Sequence, residues 1–215
     1  MSLDSEKLVV EDTLVLNLCC IVEGKGEVGA VRVLMERLST ESAGKFWVNL
    51  VKTPLRTNKY RLIKRDDDTE LAKKIRLAVL NLRDCSSPKG ILILIDADDD
   101  CPAELGPELL CRARGVRSDV PITVVLAKGE FEAWFLAGIE GLRGKHGFPP
   151  ELPVFENAES VRDAKGKLSE LLVSNHVYKP TADQASVTSV FDLSTARERS
   201  PSFQKLCRAL EGLVR

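Results

Sequence analysis

Two sets of acidic residues stand where short apolar runs end. Glu23 closes the run Leu18-Cys19-Cys20-Ile21-Val22, and Asp96, Asp98, Asp99 and Asp100 follow Ile91-Leu92-Ile93-Leu94-Ile95. Carboxylates gathered in this way repel one another unless a cation neutralises them, and an all-oxygen surrounding suits a hard divalent ion, Mg²⁺ or Mn²⁺. The chemistry of such a centre is phosphoryl transfer, in which one ion, or two about 3.5–4 Å apart, activate water and stabilise the leaving oxygen of a phosphodiester. Period-two alternation puts Asp96 and Asp98 on one face if the strand runs on that far, with Asp100 continuing the pattern. Glu23 then approaches from a neighbouring strand. Metal–oxygen bonds of about 2.1 Å place the carboxylate oxygens of Glu23, Asp96 and Asp98 within about 4–7 Å of one another.

Neighbouring residues extend the same chemistry. Glu27, one helical turn beyond Glu23, reaches the same metal or serves as general base; it is equally a first-turn glutamate favoured by the helix dipole. Gly24 and Gly26 allow a tight turn whose helix amides favour a phosphate oxygen, and Lys25 adds a point charge there. Glu130 and Glu132 follow a fourth apolar run and suit a second metal site, or are exposed first-turn acids. Asp99 and Asp100 read as caps or solvated turn residues as readily as ligands.

The elements that must position these residues alternate. Apolar runs at 13–22, 46–51, 90–95 and 121–127 read as strands. Helical spacing joins Val28, Val31, Met35 and Leu38, then Leu71, Ile75, Ala78 and Leu82 after a start at Asp68-Thr69-Glu70, and predicts further helices at about 102–114 and 130–139. Continuous apolar runs are buried on both faces, as in a parallel sheet, whose ligands bind beyond the strands' carboxyl ends. The expected fold is α/β, a mainly parallel four-stranded sheet flanked by helices. Lys52 to Arg65 reads as a loop, and so does Gly141 to Pro153. From about 155 onward only helices are expected, as a layer on the sheet: one stripe is Val161, Ala164, Leu168 and Leu171, Thr181 to Gln184 has the form of a capping box, and Ser200-Pro201 opens a last helix bearing Phe203, Leu206, Leu210 and Leu213. A single domain over 10–215 with its core at about 12–140 follows.

Composition sets bounds. The 215 residues are 44% hydrophobic and 29% charged, with a formal net charge of −1, so affinity for nucleic acid or anionic membrane must come from local patches. No run approaches the length of a membrane span, and Met1 to Asp12 has no signal-peptide pattern. Six cysteines without a C-x-x-C pair read as reduced thiols of a cytoplasmic protein; two isolated histidines argue for neither zinc nor a triad. Arg56, Lys59, Arg61 and Lys64, with Lys52 and Arg65, form a basic stretch beside the sheet's ligand edge that can meet a phosphate backbone or stay solvated, with Asp66 to Asp68 partly cancelling it. Trp134 reads as core rather than as a base-stacking platform.

A strand ending in Glu23-Gly24 and a later strand ending in Asp96-Ala97-Asp98 resemble TOPRIM domains, found in topoisomerases, bacterial primases, recombination-repair proteins and OLD-type nucleases. Val22-Glu23-Gly24-Lys25-Gly26-Glu27, Glu130 to Ala137, Tyr178-Lys179-Pro180 and Ser200 to Phe203 look like the DUF4276 family, with a TOPRIM-like, Rossmann-like fold. That resemblance places Lys179 and Gln184 at the cleft, where helix-start packing is the alternative. It departs from topoisomerases and primases where Asp99, Asp100 and Cys101 intervene before Pro102, and no room remains for a topoisomerase cleavage domain. What it implies is a Mg²⁺-dependent nuclease acting on nucleic acid, the effector of a bacterial defence system. Its partner would be a separate ABC- or AAA-type ATPase, because the chain has no P-loop. The alternative is a catalytically inactive TOPRIM-like binding module.

Overall fold

A computed structural model of the chain describes residues 14–41, 46–65, 69–173 and 176–214. Met1 to Asp12, Thr13 and the charge run Asp66 to Asp68 lie outside the described residues. The order is β1 (Leu14–Val22), α1 (Lys25–Glu41), β2 (Phe46–Leu50), β3 (Leu55–Arg56), α2 (Lys59–Ile63), α3 (Glu70–Asn81), β4 (Lys89–Asp96), α4 (Pro102–Val116), β5 (Ile122–Ala127), α5 (Ala133–Ala137), α6 (Ala164–Leu171), α7 (Pro180–Thr188), α8 (Leu193–Arg199) and α9 (Pro201–Val214), with 3₁₀ turns at Ile139–Leu142 and Ala158–Ser160.

All strand pairs are parallel, in the order β2-β1-β4-β5, with β3 pairing β1 beyond the end of β2. The central register sets Val22 against Leu94, so the acidic ends of β1 and β4 lie side by side. Alternation along β1 sends Leu16, Leu18, Cys20 and Val22 into one core layer and Cys19 and Ile21 into the other. The first layer takes Val31 and Leu34 of α1 and the helices after β5; the second takes Leu71 and Ile75 of α3 and Leu109 of α4. The chain therefore leaves β1 in one direction across one face and returns to β4 in the other direction across the opposite face. That reversal opens a crevice at the carboxyl ends of β1 and β4, where open α/β sheets bind ligands.

The carboxyl-terminal helices are a layer, as their apolar stripes require. α9 packs on β1, β4 and β5, and α7 lies along α1. Phe131, Trp134, Phe135, Phe191 and Phe203 form a chain of ring contacts with centroids 4.7–5.7 Å apart. Trp134 is buried, its indole N–H donating to Ser202 Oγ at 2.8 Å.

Two expectations need correction. The stretch Lys52 to Arg65 is not all loop: it holds β3 and α2, which makes the sheet five-stranded. Two residues of strand and five of helix are too short to leave a periodic signal, and tertiary pairing with Ile21 and Val22 creates them. The capping box at Thr181 is also misplaced. The helix begins two residues earlier, with Pro180 in its first turn, and it is Asp183 whose carboxylate accepts the Lys179 N–H at 2.7 Å. The starts at Thr69 and Ser200 are as expected, Thr69 Oγ1 accepting from Ala72 N–H and Ser200 Oγ from Phe203 N–H.

The α1–α7 contact is close because Gly26 has no side chain. A Cβ there would meet Gln184 Oε1 at 2.3 Å and the Pro180 carbonyl oxygen at 2.4 Å, whereas one at Gly29 meets only Ala185 Cβ at 3.7 Å. Gly26→Ala is expected to destabilise the fold by about 1–3 kcal/mol through overpacking. Gly29→Ala should stabilise it by about 0.5–1 kcal/mol through the helix preference for alanine. Urea-unfolding midpoints of the two variants, moving in opposite directions, check both.

Candidate functional site

The acidic residues at the crevice fall into two groups, each built around a lysine. β4 ends at Asp96, so strand alternation stops there and Asp98 does not share the face of Asp96. Backbone pairing continues for two residues, Ala97 N–H to the Ala127 carbonyl and Asp98 N–H to the Gly129 carbonyl, both at 2.8 Å, while Asp98 itself turns to φ +48°.

The first group is buried on the face of α1 and α5. Asp96 Oδ1 accepts the Phe131 N–H at 2.7 Å. Lys165, from the first turn of α6, places its ammonium 2.9 Å from Glu130 Oε1 and 3.6 Å from both Asp96 Oδ2 and Glu132 Oε2. The Lys165 N–H also donates to Glu130 Oε2. Glu132 is fully buried and accepts the Tyr178 hydroxyl at 3.0 Å. Burial pushes Asp96 well above the usual carboxylate range, with Glu27 and Glu132 adding to the rise against Lys165 and the Phe131 amide. Burial raises Glu132 likewise, opposed first by Lys165. Burial alone would lower Lys165, but Glu132, Asp96 and Glu130 outweigh it and hold the ammonium charged. Burial and then the Glu132 carboxylate raise the Tyr178 hydroxyl, which remains a donor.

The second group lies on the other side of the β4 end. Lys59 of α2 is buried, with 1% of its side chain exposed, and its ammonium reaches the Ala97 carbonyl at 2.6 Å, Asp98 Oδ2 at 2.9 Å and Asp100 Oδ2 at 2.8 Å. Desolvation works against that charge, but the bonds to Asp100 and Asp98 prevail and its pKa is raised. Lys59 is thus an internal counter-ion rather than an open phosphate contact. Asp99 is exposed and pairs with Arg162 at 3.1 Å.

Glu23 sits between the groups. Burial raises its pKa, the Lys59 backbone amide lowers it, and Asp98, Lys59 and Lys165 all act on it. Its Oε2, like Glu132 Oε2, is buried without a hydrogen-bond partner. Glu27 folds back onto the two residues before α1: its Oε2 accepts the Glu23 N–H at 2.9 Å, and the Gly24 amide also faces it, half of a capping box. Lys25 is exposed at the head of α1.

The remaining basic candidates are dispersed. Arg56 and Arg61 are exposed around α2, and Lys64 is exposed with its carbonyl accepting from Arg112 at 2.7 Å. Lys179 is exposed at the head of α7, away from any ion pair that would tie it to the acids, and Gln184 is buried beside Gly26. Lys165 escaped the sequence reading, and Tyr178 entered it only as part of the Tyr178-Lys179-Pro180 resemblance, without a site role; Lys165 lies in an ordinary polar helix start, and only the fold shows that three carboxylates surround it. Among the described residues, no three acidic, histidine or cysteine side chains are spaced to hold one metal ion. The donors nevertheless suit a hard cation: all are carboxylate oxygens, and two of them, Glu23 Oε2 and Glu132 Oε2, are buried without a hydrogen bond, the latter with only the Lys165 ammonium at 3.6 Å.

A family model described as a domain of unknown function, DUF4276, matches residues 22–211. No curated protein and no solved structure matches the chain significantly.

Removing Lys165 strands its partners. Lys165→Met should cost about 3–5 kcal/mol, the usual penalty for leaving buried charge uncompensated, and urea unfolding at pH 8 measures it. Glu27 supplies a pH signature. Its carboxyl is pushed from 4.5 to about 7, by burial first and then by Glu132 and Glu23 against the two backbone amides. A raised folded-state pKa stabilises the fold in full below about 4.5 and loses that contribution as pH rises to about 7. Glu27→Gln should therefore gain up to about 3 kcal/mol relative to wild type between pH 4.5 and pH 8. Paired urea titrations in EDTA across that range test the sign.

Proposed function

The chain belongs to the DUF4276 family, and we propose that it is a TOPRIM-like, Mg²⁺- or Mn²⁺-dependent phosphodiesterase acting on nucleic acid. One observation carries this reading. Carboxylates that follow the ends of three strands, Glu23 after β1, Asp96 at the end of β4 and Glu132 after β5, stand at the crevice where the sheet reverses direction, and Glu23 Oε2 and Glu132 Oε2 are buried without a hydrogen bond; to share one ion these side chains must draw closer than they stand. A divalent ion bound there would supply Lewis-acid activation of water and charge neutralisation at a phosphate. Glu23, Asp96 and Glu132 are the residues to hold it, with Glu130 and the Asp98–Asp100 turn at the rim.

The chain's own groups have separable tasks. Glu27, with a carboxyl near neutrality, suits proton transfer at working pH. Tyr178 and the Phe131 amide fix the orientations of Glu132 and Asp96. Lys165 keeps the acids together before an ion arrives, so ion entry competes with its ammonium. The reading extends to a defence effector whose ATP hydrolysis belongs to a separate ABC- or AAA-type partner, a relation that the neighbouring gene would support.

A second reading is favoured by a different observation. An ammonium already occupies each acidic group, Lys59 between Asp98 and Asp100 and Lys165 among Asp96, Glu130 and Glu132, as expected of a binding module that has kept the fold and put a lysine where the ion would sit.

Cleavage of labelled oligonucleotides with Mg²⁺ or Mn²⁺, alone and with the ATPase, separates the two. Asp96→Asn keeps an acceptor for the Phe131 amide and should retain the thermal transition while losing cleavage by about 100-fold or more. Asp96→Ala is a poorer test, because it orphans a buried amide. Undiminished cleavage by Asp96→Asn ends the assignment to this centre. Absence of both cleavage and calorimetric Mn²⁺ binding in wild type establishes the second reading.

A further inference from the structure

Beside the acidic rim, α2 displays a residue that charge patterning passes over. Tyr60 is 68% exposed, directly after the buried Lys59. Its backbone is held from two sides: its N–H donates to the Asn58 cap at 2.9 Å, and Lys59 is bonded to Ala97, Asp98 and Asp100. The ring is mounted at a fixed distance from the rim and is not part of the core. Arg61, 71% exposed, makes only a long 3.7 Å ion pair with Glu70. Arg56 is exposed and has no ion-pair partner among the described residues. At the rim itself, a cavity of about 450 Å³ is mainly acidic, lined by Asp98, Asp99, Glu130 and Glu159 with only Lys128 and Arg162 as bases, so the cationic contacts for an anionic ligand are those of Arg56 and Arg61.

We propose that β3 and α2 form a landing platform for single-stranded nucleic acid, with Tyr60 stacking on an unpaired base and Arg56 and Arg61 meeting the flanking phosphates. The phosphodiesterase reading enters only in making the acidic rim the destination of the strand. An exposed aromatic with exposed arginines four residues before it and directly after it matches the chemistry of a polynucleotide, which alternates a flat apolar face with a negative charge. A duplex is excluded as the preferred occupant because its bases are already stacked and offer no face to the ring.

Fluorescence anisotropy tests the platform with a single-stranded DNA of about 15 nucleotides, its RNA counterpart and the corresponding DNA duplex, at low salt in EDTA. Single strands should bind more tightly than duplex. Tyr60→Ala should weaken single-strand binding about tenfold and duplex binding hardly at all, while Tyr60→Trp restores it. Arg56→Ala should lower the slope of log affinity against log salt by about one phosphate contact. Wild-type affinity in Tyr60→Ala, a preference for duplex, or no binding at all overturns the proposal. Because EDTA removes the ion, a protein that binds here but never cleaves with Mg²⁺ sinks only the phosphodiesterase reading. One that cleaves while Tyr60→Ala binds normally sinks only the platform.

Discussion

Negative charge concentrated at the end of a parallel sheet has to be balanced before the chain can be compact, and in this protein two ammonium groups do so. Lys59 and Lys165 stand on α2 and α6, of five and eight residues, both well below the length at which a helix persists by itself. Each helix is held by its buried apolar residues, Leu62 in α2 and Ala164 and Leu168 in α6, together with its lysine's contacts and the Asn58 and Asp163 caps. The carboxylates in turn are tolerated in a low-dielectric site because the lysines are there. The rim is thus assembled from segments distant in sequence, Lys59 lying 39 residues from Asp98 and Lys165 35 residues from Glu130.

The packing behind the rim is stiff where the chemistry needs it. Glu130 and Glu132 precede α5, whose Trp134 and Phe135 are locked into the aromatic chain reaching α9. Glu23 and Glu27 precede and open α1, which Gly26 allows to press against Pro180 and Gln184. Motion at the crevice is accordingly left to the side chains, while the strand ends and the helices stay fixed.

Much of this architecture was legible from residue patterns. Apolar runs located β1, β2, β4 and β5 within one or two residues, and the carboxyl-end position of Glu23 and Asp96 followed directly. What escaped were features set by tertiary contact. β3 exists only because Ile21 and Val22 offer it an edge. The split between Asp96 and Asp98 depends on where β4 stops and on a positive φ, which no spacing rule specifies. Lys59 read as one more phosphate-contacting or solvated cation in a basic stretch, and only the fold buries it. Glu132 looked like a first-turn acid, yet it lies under Tyr178, 46 residues away.

The covering of β1 by α9 has a consequence for synthesis of the chain. Gly90 at the start of β4 abuts Leu213, and a Cβ there would lie 2.9 Å from the leucine methyl. One face of β1 is therefore sealed in part by residues made some two hundred positions later. Until then its apolar side must be shielded by the nascent chain's own transient collapse or by a chaperone. Native closure of that face waits for α9, and a ribosome pause between β1 and α9 prolongs the interval in which it is open to neighbouring chains.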